Sequence, residues 1–78
     1  MNPISFESFP QTDLCYFTNT LESAKGTPIA LSPKLIDSVF VIKGNYDYTG
    51  LFNEKNGYQW TVAEDFDTVM RRIAEKRK

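Results

Sequence analysis

Seventy-eight residues make one domain with a small core, because at this length folding buries only roughly 60% of the chain's surface. Nine Lys and Arg against ten Asp and Glu leave a net charge of −1, too balanced for a whole-surface nucleic-acid binder and too weakly acidic for a mimic of DNA. One cysteine and no histidine exclude an internal disulfide and argue against a structural zinc site, which leaves self-association as the way to supplement the core.

Met1 to Thr12 is predicted to be an apolar arm preceding a single domain over 13–78. Pro3 and Pro10 break regular structure, yet Ile4, Phe6 and Phe9 are too apolar for a solvated tail. Such an arm either packs along a sheet edge of its own chain or adds to a second copy through main-chain bonds. The opening residues lack the basic and apolar regions of a signal peptide, and no apolar run approaches the ~18 residues of a membrane span. The expectation is a cytoplasmic protein with no membrane partner.

Asp13 to Thr20 reads as a first strand, with Leu14, Tyr16 and Thr18 on one face and Cys15 and Phe17 on the other, so cover is expected on both sides. Glu22 to Gly26 is a loop. Thr27 to Leu31 is a short second strand whose Pro28 must sit at an edge or at the strand start. Ser32-Pro33 is a helix-start signature cut short: a capping serine, then proline at the first helical position. A single turn is expected there, dropping Leu35 and Ile36 into the core. Ser38 to Lys43 is a third strand, and its run Val39-Phe40-Val41-Ile42 reads as central and covered on at least one face.

Tyr46 to Asn53 is a fourth strand with Gly50 inside it, a sign of a bulge or a close approach. Asn56-Gly57 is a hairpin turn, and Tyr58, Trp60 and Val62 alternate with Gln59 and Thr61 in a fifth strand. Phe66, Val69, Met70 and Ile73 then recur at helical spacing from Asp65, a preferred N-cap, to about Lys76. The predicted fold is α+β: a small antiparallel sheet of four to five strands with one C-terminal α-helix packed on one face.

Chemistry is sparse. Cys15 has no histidine or sequence-near cation to lower its pKa, so it reads as a buried structural thiol. The serines lack a general base, and no catalytic residue, metal site or cofactor is expected. Glu64, Asp65 and Asp67 at the helix start read as capping and dipole partners. Arg71, Arg72, Lys76, Arg77 and Lys78 form a basic helix end, either solvated or available to phosphates or an acidic partner. Tyr46, Tyr48, Phe52, Tyr58 and Trp60, from two neighbouring strands, are the candidate binding surface, extended by Phe6 and Phe9. Tyr48 or Phe52 is expected across from Trp60.

The runs Thr27 to Asp37 and Asn56 to Phe66 resemble the small FlbD-like flagellar and swarming-motility proteins. Their order of elements is also similar to that of LytTR-type DNA-binding domains. The FlbD-like resemblance implies action through partners and supplies no catalytic residues. The arm and the longer, Tyr-rich hairpin depart from that pattern. The expected function is a non-enzymatic interaction module, an adaptor or a phage-type inhibitor, that binds another protein and is a possible homodimer. The alternative is a nucleic-acid or nucleotide binder that stacks bases on Tyr48, Tyr58 and Trp60 and meets phosphates with Arg71, Arg72, Lys76 and Arg77.

Overall fold

The computed structural model describes residues 2–77, so Met1 of the arm and Lys78 of the basic tail lie outside the described residues. In chain order the elements are β1 (Cys15–Thr18), a 3₁₀ turn (Glu22–Ala24), β2 (Pro28–Leu31), a second 3₁₀ turn (Pro33–Leu35), β3 (Ser38–Ile42), β4 (Tyr48–Asn53), β5 (Tyr58–Val62) and α1 (Phe66–Lys76). The class is α+β with one C-terminal helix, as the sequence indicates. The expected single sheet is instead two, a β1–β2 pair and a β3–β4–β5 meander, both antiparallel.

One bridge, Asn19 to Val62, joins the two sheets. Ala63 N–H donates to the Thr18 carbonyl at 3.0 Å, and Thr20 N–H to the Thr61 carbonyl at 3.2 Å. Thr20 Oγ1 also donates to the Thr61 carbonyl, at 2.8 Å, and the ladder stops there as the chain leaves for the 3₁₀ turn.

Local sequence explains the best-formed elements. Ser32 Oγ accepts from Lys34 N–H and Pro33 opens the turn after β2. Gly57 takes φ of 70°, where a side chain would be strained, and lets the β4–β5 hairpin close. Asp65 Oδ1 accepts from Thr68 N–H at 2.8 Å and starts α1. Cys15, Phe17, Leu31, Ile36, Leu51, Val62, Val69 and Ile73 form one buried cluster, with α1 lying against β1 and β3. Among the described residues no helix is long and apolar enough to cross a membrane.

Several sequence expectations are corrected. β3 is an edge strand, not a central one. Its apolar run is used without a second neighbour: Val39 packs against the core, while the Phe40 ring occupies the space a Cβ on Gly50 would fill. Tyr46 precedes β4 and is 65% exposed in the turn. Ile36 is buried but Leu35 is exposed. The helix stripe divides, with Val69 and Ile73 buried and Phe66 and Met70 exposed, because the meander ends at β3 and leaves that flank of α1 uncovered.

The arm docks along its own chain. Ile4 N–H donates to Thr18 Oγ1 at 2.8 Å, Tyr16 Oη to the Pro10 carbonyl at 3.0 Å, and Lys76 Nζ to the Thr12 carbonyl at 2.6 Å. Phe6 and Phe9 pack edge-on to each other and cover Tyr16, with ring centroids 4.8, 5.6 and 5.3 Å apart. This is the second face of β1 for which the sequence predicts cover.

Candidate functional site

The alternation of β4 and β5 decides which aromatic side chains meet. Trp60 lies across from Leu51 and Gln59 across from Phe52, so Trp60 and Tyr58 share the core-side face with Leu51 and Val62. Tyr48 and Phe52 fall on the opposite face, with Phe40 and Ile42 of β3. The expected pairing with Trp60 is therefore wrong, by one residue for Phe52 and by three for Tyr48, and either odd offset changes the face.

Three of the predicted aromatics nevertheless converge at the Tyr58–Trp60 part of the β5 edge, which the Asn19–Val62 bridge leaves open. A cleft of about 400 Å³ opens between that edge and the Leu21 loop. Tyr48, Tyr58 and Trp60 line it, with Leu21 and Ile29 opposite. The Tyr58 and Trp60 rings lie 4.9 Å apart, and Tyr58 is 55% exposed. Of the lining residues only Glu22 carries a charge. Phe52 and Tyr46 do not line the cleft, and Phe6 and Phe9 belong to the arm cluster over Tyr16.

The backbone of β5 is part of this cleft. The Thr61 carbonyl points away from β4, since it accepts from Thr20 N–H. Main-chain groups two residues apart in a strand point the same way, so Gln59 directs its N–H and C=O into the cleft. Neither has a backbone partner outside its strand among the described residues.

The basic helix end has internal duties. Arg77 Nη2 donates to the carbonyls of Pro33 and Ile36 at 3.0 and 2.9 Å, which ties α1 to the turn before β3. Lys76 holds the arm through Thr12. Arg72 Nη1 donates to the Tyr16 carbonyl at 2.8 Å and to Glu64 Oε2 at 3.3 Å. Its guanidinium also sits 5.3 Å from the Phe6 ring centroid and 5.8 Å from that of Phe17. Arg71 is exposed.

Glu64 is the residue that sequence reasoning placed wrongly. Asp65 caps and Asp67 lies in the first turn as expected, but Glu64 is 1% exposed. Its carboxylate accepts Thr18 N–H at 2.8 and 3.0 Å and Thr18 Oγ1 at 2.8 Å, and its own carbonyl accepts Thr49 Oγ1 at 2.7 Å. Glu64, Thr18 and Arg72 thus pin together β1, the arm and α1. Nothing in the Glu64-Asp65-Phe66-Asp67 run distinguishes the first carboxylate from a solvated one; the signal lies in Thr18 and Arg72, far away in sequence.

Cys15 is buried, with Sγ 3.6 Å from the Arg72 carbonyl. Burial raises its thiol pKa above the ordinary 9.0, against the opposing pull of Lys76, Arg72 and Arg77. The thiolate is scarce at neutral pH, and Cys15 acts as a core residue. No protein-family model, no curated protein and no solved structure matches the chain.

Proposed function

We propose that the chain is a small protein-interaction module, adaptor or inhibitor in kind, that receives an extended segment of another protein along the free edge of β5. The supporting observation is the cleft itself: the one main-chain N–H and one C=O of Gln59 beside the exposed Tyr58 ring and the half-buried Trp60 ring. Strand addition uses such edge groups for affinity and the neighbouring pockets for selectivity. Tyr and Trp contribute disproportionately to interfaces of this kind.

Two features weigh against the base-stacking alternative. The cleft carries one negative charge, from Glu22, and no cation. Arg72, Lys76 and Arg77 are engaged with main-chain carbonyls elsewhere on the molecule.

Selection of a random peptide library against the protein, followed by titration of the best binder, tests the reading. Tyr58→Ala and Trp60→Ala should each weaken binding by roughly 30-fold, the effect of a central aromatic anchor. Raising salt from about 50 to about 200 mM should change the affinity little. Unchanged affinity in both variants would sink the cleft assignment. Tight, steeply salt-dependent binding of oligonucleotides by the wild type would sink the class.

A further inference from the structure

β3 is the opposite edge of the meander and an unguarded one. Ser38-Val39-Phe40-Val41-Ile42 contains no proline and no charge, the usual devices that keep a strand edge from pairing. β4 is its only strand neighbour, and no backbone bond reaches Val39 or Val41 from outside that ladder among the described residues. Val41 is 46% exposed. Beside this edge a groove between β3 and α1 is lined by Val39, Phe66, Met70 and Ile73 together with Asp37 and Arg77, the latter engaged with the Pro33 and Ile36 carbonyls.

The sequence of this edge is complementary to itself. Asp37 stands immediately before β3 and Lys43 immediately after it. Antiparallel pairing of two β3 strands with Phe40 on the two-fold axis sets Ser38 opposite Ile42 and Val39 opposite Val41. The next step outward sets Asp37 of each copy opposite Lys43 of the other, so both ends of the ladder close on opposite charges. Among the described residues Lys43 holds only Asp47, at 3.3 Å, with side chains 81% and 59% exposed, a solvent-screened pair that is readily exchanged. Asp37 Oδ2 accepts Glu54 N–H at 2.7 Å, and its second oxygen has no hydrogen-bond partner among the described residues.

We infer that two copies of this chain associate through β3, antiparallel about Phe40, into one continuous six-stranded sheet with reciprocal Asp37–Lys43 ion pairs. The core-side face of β3 carries Val39, so Val41 of the second copy arrives beside it, at the mouth of the groove formed with Phe66 and Met70. The exposed flank of α1 is covered by the same event. The cleft on β5 lies at the other edge and stays open, so dimerisation and peptide binding are independent.

The test is charge inversion read by native mass and sedimentation. The wild type should show twice its 9.0 kDa mass at about 100 μM chain. Asp37→Lys and Lys43→Asp should each weaken the dimer by roughly tenfold or more, because each turns two attractive pairs into two repulsive ones. An equimolar mixture of the two should recover association as the mixed species, since each then meets its opposite. Val41→Lys should be monomeric alone and in any mixture. Should Asp37→Lys unfold through loss of its bond to Glu54, Lys43→Asp and Val41→Lys leave that bond intact and still decide the matter. A wild type that stays monomeric at this concentration overturns the inference. So do single inversions that dimerise like the wild type, or folded inversions whose mixture forms no mixed species.

Discussion

Replacing Glu64 by alanine removes the acceptor that binds Thr18 N–H and Thr18 Oγ1 and the counter-charge of Arg72. Breaking a buried ion pair by deleting one partner costs about 3–5 kcal/mol, much of it from the charge left behind. Here the stranded cation is Arg72, whose side chain is 30% exposed, so water recovers part of the loss and the lower figure, about 3 kcal/mol, applies. Thr18 N–H, on a residue that is 0% exposed, also loses its acceptor. A chain of this length has a total stability of about 4–12 kcal/mol, so the variant should stand close to unfolding. With a urea slope of about 1 kcal/mol/M, the midpoint should fall by roughly 3 M. Glu64→Gln keeps an oxygen for Thr18 N–H and should lose about half as much. Arg72→Met combined with Glu64→Ala should cost at least 1 kcal/mol less than the sum of the two singles, roughly the coupling expected of contacting groups. A loss below about 1 kcal/mol for Glu64→Ala would refute the assignment of Glu64 as the pin between β1, the arm and α1.

Gly50→Ala places a methyl group where the Phe40 ring lies and should cost about 1–3 kcal/mol in denaturant unfolding, with partial recovery when Phe40→Leu is added. Asp65→Ala should cost about 1 kcal/mol through loss of the cap on Thr68. The Thr68 hydrogen bonds hold the Asp65 carboxyl below its ordinary 3.8, so the cap's contribution is present above that pH and is lost as pH falls through the lower folded value; a Wild-type minus Asp65→Ala difference that does not shrink under acid titration would contradict this. Cys15 should resist alkylation at neutral pH in the native protein and react at once in denaturant, as mass spectrometry would record.

The parts of the fold that were legible in the sequence are those governed by neighbours along the chain. Asp65 and the alternation of Phe66, Val69 and Ile73 specify α1 locally, and Asn56-Gly57 specifies its hairpin. The parts that were not legible depend on partners distant in sequence. Val39-Phe40-Val41-Ile42 has the same pattern whether its second neighbour is a strand or water, because the core holds Val39 and Gly50 seats Phe40. The division of the aromatic residues between two sheet faces follows from a register that composition does not encode. Tyr48, Tyr58 and Trp60 line one cleft because the β5 edge and the Leu21 loop bring them together, not because they pack across strands. Arg72, Lys76 and Arg77 looked like free cations because their acceptors are main-chain oxygens, which leave no trace in side-chain spacing.

The narrow seam between Thr18 and Ala63 also orders the assembly of the chain. β3, β4, β5 and α1 follow one another through short turns, so they can collapse with little loop-closure entropy. β1 must instead find β5 and α1 across more than half of the polypeptide, where the Asn19–Val62 bridge and the Glu64 and Arg72 contacts then hold it. Docking of the amino-terminal third is therefore the late step that seals Cys15 and Phe17 against α1 and completes the core.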